Sequence, residues 1–534
     1  MSQAPAAPPG AIEPPPYELR RGLIYAAMSV LVGLTQGLGI NVVTANLPTI
    51  QGALGATPTE GAWLLAAYYA TSMSVSALLV KFRFQFGLRL FADIGLTLFI
   101  VVTAAHLVVN DLHSAIALRA AQGLAAAPLS SMSVLYMVNA WPPERRRNGI
   151  ALGMAATQLT VPLARVISPD LLQIGQWHGL YVLELGLALL SLAGVTLFRL
   201  PPVPKIMRFE WGDALSFALI APGLGLLVVA LTLGRYVWWT EARWLGVCLG
   251  LAIPLLCGAI LVELHRKRPL LDIRWLSSGE MLRFLLVIVL FRFALSEQTS
   301  GAIGLLQNLG LVNEQMQTLF WIVLAATAAG FLIVGLTINP ERPLTPIITG
   351  LVLVALAAWM DSHATNLTRP SQMYLSQGLV AFAGALFLPP AMLFGMSRAL
   401  ARSWDHIVSY VMVFSAGQNL GALFGSAFIG SFVVVREKFH SNQLTETLTL
   451  ADPSVALRIR QLGGAYGRVL SDAQLRGAEG AALLGQQTTR EAYVLAYDDA
   501  FRLISICAVL GLIWLISLRL RARYVARRTQ EAVA

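Results

Sequence analysis

Charge is scarce in this chain. Charged residues make up 12% of the 534 residues and hydrophobic residues 56%, whereas soluble proteins contain about 25% charged and about 45–50% apolar residues. A soluble chain of this length would divide into domains with polar surfaces. The composition therefore excludes an ordinary soluble protein and predicts one that is embedded in a membrane.

Residues that carry redox, metal or nucleotide chemistry are also few. The three cysteines, Cys248, Cys257 and Cys507, lie in apolar stretches, which excludes a disulfide framework and a cysteine-based metal site. The seven histidines are scattered without the spacing of metal ligands. The sequence also lacks the Gly-x-x-x-x-Gly-Lys loop that binds nucleotide phosphates, so ATP is not expected to drive this protein directly. We predict no metal and no cofactor.

Long apolar stretches are what the sequence has in abundance. About fourteen of them can each cross roughly 30 Å of hydrocarbon as a helix, which predicts an all-α integral membrane protein. They lie at 22–46, 62–80, 90–109, 113–140, 148–168, 178–198, 212–234, 243–263, 281–303, 315–338, 344–360, 373–397, 407–435 and 500–518.

Basic residues lie mainly on one side of this series. The short odd-numbered connections contain only Arg235, Arg243 and Arg369, whereas the even-numbered connections and both chain ends are rich in Lys and Arg. Basic loops stay in the cytoplasm, so both termini are predicted to be cytoplasmic. The net charge of +10 is then explained by loops beside anionic headgroups, and no nucleic-acid partner is expected.

Two strongly basic connections divide the spans into six, two and six. Transporters built from two repeated six-helix halves hold their substrate between the halves, near the middle of the membrane. The segments predicted are a disordered cytoplasmic tail (1–21), an N-terminal half (22–198), an inserted two-helix segment (199–280), a C-terminal half (281–518) with a periplasmic loop (436–499), and a basic cytoplasmic tail (519–534). Within the loop, residues 454–461 and 473–484 have helical patterns.

Small residues recur at four-residue spacing in the thirteenth predicted span. Gly417, Gly421 and Gly425 would lie on one face of that helix, and such a stripe lets two helix backbones approach closely. The stripe can serve tight packing or a rocking motion between halves, and the spacing favours packing.

Five ionisable residues lie well inside predicted spans, where each costs about 2.5–3.5 kcal/mol on insertion scales. They are Arg119, Arg165, Glu184, Arg292 and Glu297. Their excess of positive charge favours an anionic cargo. A carboxyl group at such depth can take up and release a proton. Glu297, the more central of the two acids, is our first choice for that role.

The partners of these residues can be predicted only in part. Arg165 and Glu184 lie on consecutive spans at a matched depth, roughly 10 Å below the outer surface, so we predict a salt bridge between them, either structural or functional. Arg292 and Glu297 lie on one helix about 140° apart around its axis, so they do not face each other. At least one of them needs a partner on another helix.

Four motifs, spread over nearly the whole chain, carry a family resemblance. Residues 119–123 read Arg-Ala-Ala-Gln-Gly, and the others are residues 44–50, 177–184 and 496–501. Together they resemble the major facilitator superfamily, and within it the fourteen-helix, EmrB/QacA-type drug:proton antiporters. Gln122 and Gly123 complete the Arg-x-x-Gln-Gly signature of that superfamily.

The resemblance implies a major facilitator fold, in which Arg119 shapes the field of the cavity and assists proton movement. It implies a proton gradient as the energy source and a bacterial inner-membrane location. It also implies partners, because EmrB-type members in double-membraned bacteria work with a periplasmic adaptor and an outer-membrane channel.

The chain departs from the family pattern where protons are coupled. Gly39 stands where the family has a first-helix Asp, and Glu184 stands where an Asn is common. The Gly-Pro-rich motif of the fifth helix keeps Pro162 and gains Arg165, and the loop motif after the second helix keeps Gly87. We therefore expect the coupling site to have moved.

These observations predict a proton-coupled exporter of small amphipathic, aromatic or organic-acid-like compounds that works by alternating access. Arg165, Arg292 and Gln122 would hold the cargo, while Glu184 and Glu297, aided by Arg119, would carry protons. An importer of an organic anion on the same fold is the main alternative. A membrane-embedded enzyme or sensor would need a clustered nucleophile, a metal set or a sizeable soluble domain, and the sequence shows none.

The charge bias predicts which segments an impermeant maleimide can reach. In a cysteine-free background, cysteines at Ser441 and Ser471 should react from outside the cell, and cysteines at Arg146 and Arg521 should react only after lysis. Labelling of the position 521 cysteine in intact cells would show that the predicted orientation is inverted.

Overall fold

The computed structural model describes residues 18–201, 210–266, 269–339, 343–402 and 404–533. The first helices are α1 (Leu19–Ala45), α2 (Leu47–Ala53), α3 (Pro58–Phe86), α4 (Leu88–His106), α5 (Leu112–Asn139), α6 (Arg146–Gly175) and α7 (His178–Leu197). Next come α8 (Trp211–Val237), α9 (Arg243–His265), α10 (Ile273–Leu276), α11 (Gly279–Ser296) and α12 (Ile303–Asn308). The last are α13 (Gln317–Thr337), α14 (Leu344–Asp361), α15 (Tyr374–Leu400), α16 (Trp404–Glu446), α17 (Pro453–Gly464) and α18 (Ala473–Val533).

The all-helical membrane class predicted from the sequence is confirmed. Within the described ranges, 12 helices are long and apolar enough to cross a membrane. The long helices α3 and α11 are not among them, and α11 carries Glu280, Arg283 and Arg292 within its 18 residues. A count of fourteen spans therefore stays a prediction.

The chain ends differ from their predicted boundaries. Helix α1 begins at Leu19, so the last residues of the predicted tail 1–21 are helical, while residues 1–17 lie outside the described ranges. Helix α18 continues to Val533, so the predicted tail 519–534 is helical up to that residue. Parts of both basic connections, residues 202–209 and 267–268, also lie outside the described ranges.

Buried apolar side chains form separate clusters along the chain. One large cluster joins α1, α3, α4, α5 and α7, and another joins α11 to α16 with α18. In the second cluster the rings of Phe291 and Phe387 stack with their centroids 3.9 Å apart. Helix α6 packs against α13, and α8 packs against both α3 and α9. Helix α6 therefore links the two groups of helices, and the α8–α9 pair lies against α3.

Glycines permit the closest helix contacts. A Cβ at Gly123 of α5 would collide with the backbone carbonyl of Tyr68 in α3. Along α16, a Cβ at Gly421 would lie 2.9 Å from Cβ of Arg292, and one at Gly425 would lie 2.7 Å from Oγ of Ser296. Gly417 is looser, with Ile288 at 3.7 Å. The stripe on α16 therefore packs against α11, while Pro162 lies inside α6.

Most of the segment 436–499 is helical, including the two stretches, 454–461 and 473–484, whose patterns predict helices. Helix α16 extends to Glu446, α17 follows, and α18 begins at Ala473. At the base of this excursion, Arg436 and His440 of α16 both contact the carboxylate of Asp499 in α18, at 2.6 and 2.7 Å. Two helices, α16 and α18, thus continue without a break from the bundle into this excursion.

A buried ionic network joins the α8–α9 pair to its neighbours. Asp213 of α8 is fully buried and binds Nζ of Lys81 at 2.6 Å and Nη2 of Arg266 at 2.7 Å. Arg266 also binds Glu263 at 2.9 Å. Beyond α9, the backbone amide of Asp272 donates to Oγ of Ser409 in α16 at 3.0 Å. Sequence reasoning missed this network because it treated these charges only as topology signals.

We expect Asp213→Asn to lower stability strongly, because it leaves two cations near a buried site without their shared anion. Breaking a buried pair typically costs about 3–5 kcal/mol. The exposed pair Arg398–Glu280, at 3.2 Å with both side chains more than half exposed, provides a matched control. Glu280→Gln should change stability by at most about 1 kcal/mol.

Thermal unfolding in detergent measures both effects. Equal midpoints for the two variants would show that the Asp213 network does not hold the α8–α9 pair in place.

Candidate functional site

A buried polar chain connects α1, α5 and α7. Nη1 of Arg119 donates to the backbone carbonyl of Gly39 at 2.9 Å and also to the side-chain oxygen of Gln122. The Gln122 amide in turn donates to the carboxylate of Glu184. Arg119 and Gln122 are fully buried and Glu184 is 4% exposed. The signature residues predicted from sequence therefore meet the acid at position 184, and we refer to these residues as the α5–α7 cluster.

The absence of a side chain at position 39 makes room for this acid. A Cβ on Gly39 would lie 2.7 Å from Oε1 of Glu184 and 3.1 Å from the ring of Phe99. Oγ1 of Thr103 lies 3.5 Å from the same carboxylate oxygen. The carboxylate of α7 thus occupies the space into which a side chain at position 39 of α1 would project.

The guanidinium of Arg119 is held by more than hydrogen bonds. It lies over the ring of Tyr68 in α3, 4.6 Å from the centroid. A cation over an aromatic face is attracted by the ring quadrupole, most strongly where water is excluded. The positive charge of Arg119 thus lies near Glu184, with the amide of Gln122 between them.

A second buried acid site lies in the other group of helices. The amide nitrogen of Gln377 donates to Glu297 at 3.0 and 3.3 Å and to Oδ2 of Asp361 at 2.8 Å. Glu297 is fully buried, Gln377 is 1% exposed and Asp361 is 6% exposed. Among the described residues, no Lys or Arg forms a salt bridge with either acid. We call Glu297, Asp361 and Gln377 the carboxyl pair site.

The carboxyl pair site lies beside the ends of two helices. Asp361 is the last residue of α14 and Gln377 lies in the first turn of α15, so Glu297 meets its partners level with that end of α14 and α15. Glu297 also begins a π-helical segment, Glu297–Ala302, between α11 and α12. Such single-turn π segments are frequent at functional sites.

Sequence reasoning missed Asp361 because it directly follows an apolar run, where an acid is expected to reach water. Its hydrogen-bond partner Gln377 is neutral, and a neutral amide in a span does not stand out in the sequence as a buried charge does.

The predicted salt bridge between Arg165 and Glu184 is wrong. Nη1 of Arg165 donates to Oδ1 of Asn313 at 3.0 Å, and its guanidinium lies 5.2 Å from the ring centroid of Phe320. Asn313 also donates to the carbonyl of Ala45 at 2.9 Å. Consecutive helices at matched depth can still turn their side chains apart, and here Arg165 turns toward α13. These contacts connect α1 and α6 with α13, and they do not favour the predicted role of Arg165 as a cargo ligand.

Arg292 lies where helices of both groups meet. Its Nε donates to the backbone carbonyl of Gln418 in α16 at 3.1 Å. Helix α16 also packs against α3 of the other group of helices. Among the described residues, Arg292 forms no salt bridge. Arg292 thus brings a half-buried positive charge, without an acidic partner among the described residues, to the region between the two groups of helices.

No metal centre is built from these acids. The described part of the chain contains no group of three or more His, Cys, Asp or Glu side chains that could hold a metal ion. The two acid sites instead pair carboxyl groups with amide donors, which suits the binding and release of protons.

The corrected contacts of Arg165 predict a pattern of couplings. Arg165→Gln and Asn313→Ala remove the same hydrogen bond, so their effects on the unfolding midpoint should be clearly less than additive. Arg165→Gln and Glu184→Gln affect separate networks and should add to within about 0.5 kcal/mol. Strong coupling in the second pair, measured by the same thermal unfolding assay, would restore the rejected salt bridge.

Comparisons with known proteins agree with this architecture. The Major Facilitator Superfamily profile matches residues 29–426, which is well over half of the chain. The multidrug export protein EmrB of Escherichia coli (strain K12) is 22% identical over 522 residues, covering 93% of this chain and 96% of that protein. The fatty acid resistance protein FarB of Neisseria gonorrhoeae is 25% identical over 268 residues, or 48% of this chain and 51% of that protein.

A solved structure also shares the fold. The human organic anion transporter MFSD10 (TETRAN) superposes with a TM-score of 0.56 at 14% sequence identity, covering 94% of this chain and 100% of that chain. At this identity the likeness concerns the fold alone. The profile match carries the conclusion: the chain is a multi-pass membrane transporter that belongs to the major facilitator superfamily.

Proposed function

We propose that this protein exports small amphipathic organic acids and related drug-like compounds in exchange for protons. A relative that matches 93% of this chain is named a multidrug export protein, and one that matches 48% of it is named a fatty acid resistance protein. The first name states export, which supports export over the alternative of uptake on the same fold.

The carboxyl pair site is the observation that carries this proposal. Two carboxyl groups share one amide donor in a site that excludes water and, among the described residues, lacks a salt-bridging cation. Two negative charges so placed repel each other, so a proton on one of them stabilises the pair. Losing that proton strains the site until a new proton or a rearrangement relieves it. A group with this property can couple proton movement to a change of conformation.

Glu184 supplies the second proton-binding group. Its carboxylate contacts the amide of Gln122, which also accepts from Arg119. Movement of a proton on or off Glu184 therefore changes what Gln122 and Arg119 can bind, and Arg119 holds the carbonyl of α1 at Gly39. Protonation in α7 is thereby transmitted to α1. The acid that relatives place on α1 acts here from α7.

We place the cargo near Arg292, between the two groups of helices. A half-buried cation without an acidic partner among the described residues attracts an organic anion and offsets part of the cost of taking it out of water. The backbone of α16 contacts the guanidinium, and α16 also packs against α3. Cargo at this place contacts both groups of helices, as alternating access requires.

The remaining parts of the proposal concern organisation in the cell. We place the protein in a bacterial inner membrane with both termini in the cytoplasm and with two six-helix halves around the inserted α8–α9 pair. The helical excursion of α16 to α18 would face the periplasm. An adaptor and an outer-membrane channel would then complete the export route, as in EmrB-type systems.

Glu297→Gln should abolish proton-driven efflux while cargo binding persists, because glutamine keeps the size of the side chain but cannot carry a proton. Cargo-induced proton release is measured with a pH dye in inside-out vesicles. Export requires the cargo to accumulate inside these vesicles, since their interior corresponds to the periplasm. Exchange at the wild-type rate in Glu297→Gln would eliminate the carboxyl pair site as the coupling site.

A swap of the acid from α7 to α1 is the matched control for Glu184. Glu184→Gln should impair coupling, and Gly39→Asp alone should disturb packing because Glu184 already fills the space. The double variant Gly39→Asp/Glu184→Gln returns the acid to α1 and should recover part of the coupling. If the double variant couples no better than Glu184→Gln, an acid beside Gln122 is not what this cluster requires.

A further inference from the structure

Gln418 of α16 has a buried amide whose hydrogen-bonding capacity is unused. The residue is 9% exposed, and both its side-chain oxygen and its side-chain nitrogen are buried without a hydrogen-bond partner among the described residues. Most buried polar side-chain atoms in folded proteins have a partner, and leaving one unpaired is costly. A buried amide with two unpaired ends therefore needs an explanation.

The surroundings of Gln418 identify its place. Its backbone carbonyl accepts the hydrogen bond from Nε of Arg292 at 3.1 Å, so the two residues are neighbours on packed helices. Gly421, one turn along α16, lets the two helices approach until Cβ of Arg292 would nearly touch a side chain there. From the other group of helices, α3 packs against α16.

We propose that Gln418 is a specificity-determining residue that binds a hydroxyl group on the cargo while Arg292 binds its carboxylate. This inference rests on the proposed function, because it assigns the class of cargo taken by that site. A hydroxyl group both donates and accepts, so it can satisfy both ends of the amide. The preferred cargo is thus a small organic acid that carries a hydroxyl group as well as the carboxylate.

A site of this kind discriminates by the penalty it imposes on the wrong ligand. An acid without the hydroxyl group would fill the space but leave the amide unpaired, and sites built to hydrogen-bond a hydroxyl group reject such analogues well. If Gln418 serves cargo binding, removing its unpaired buried amide should leave the protein without cargo as stable or make it more stable. If Gln418 instead supports the fold, its replacement should lower stability.

Binding of matched acids to the purified full-length protein tests this assignment. The probes are benzoate with 4-hydroxybenzoate, and decanoate with 10-hydroxydecanoate, titrated by calorimetry. The wild type should bind the hydroxylated member of at least one pair about tenfold more tightly. Gln418→Met should reduce that preference to within twofold while keeping affinity for the parent acid, and its unfolding midpoint without cargo should not fall. Arg292→Gln should weaken both members of a pair alike.

Gln307→Met is the control, because Gln307 is exposed at the end of α12. It should leave affinity and preference unchanged. Equal binding of both members by the wild type, or an undiminished preference in Gln418→Met, would refute the role of Gln418 and leave the organic-acid function standing. A lower unfolding midpoint or loss of folding in Gln418→Met would show that the amide supports the fold, which also refutes it. If no acid of either pair binds the wild type, the organic-acid cargo itself is wrong.

Discussion

Every charge placed inside this helical bundle has to be satisfied by a group on another helix, since the surrounding hydrocarbon offers none. That requirement explains most of the specific contacts. Nη1 of Arg119 donates to a backbone carbonyl of α1 and to an amide oxygen of its own helix, and its guanidinium lies over an aromatic ring of α3. Asp213 is satisfied by two cations from outside its own helix. The side-chain amide of Gln418 is the case in which both the donor and the acceptor of one group lack a hydrogen-bond partner among the described residues, and its backbone lies against Arg292.

The acid of the α5–α7 cluster shows how a side chain from one helix can fill the space that another helix leaves empty. The carboxyl group lies beside Gln122 and is brought there by α7. A glycine on α1 leaves room for this longer side chain. A second acid at position 39 would collide with the first, so the space holds one carboxyl group. Substitution at either position is therefore constrained by the other.

The sequence predicted the class of fold and the deep charges, and it did so for physical reasons. Apolar length and the cost of buried charge can both be seen one residue at a time, so Arg119, Glu184, Arg292 and Glu297 stand out. Partners cannot be seen in this way, because they depend on how each helix is rotated and which helix lies beside it. Arg165 turned to Asn313 for that reason. Neutral amides such as Gln377 and Gln418, and an acid at the end of an apolar run such as Asp361, carry no signal until their neighbours are known.

Because α18 is continuous, any tilt of its part inside the bundle also moves its part in the excursion. This helix runs for 61 residues without interruption, which is about 90 Å at 1.5 Å per residue. Glycines at 463 and 480 bring α17 against its outer part so closely that a Cβ at either position would strike a backbone carbonyl. A tilt of ~10° in the membrane part would then carry the outer end through roughly 7 Å. A protein bound to the outer end of α18 would then be displaced each time the bundle changes conformation.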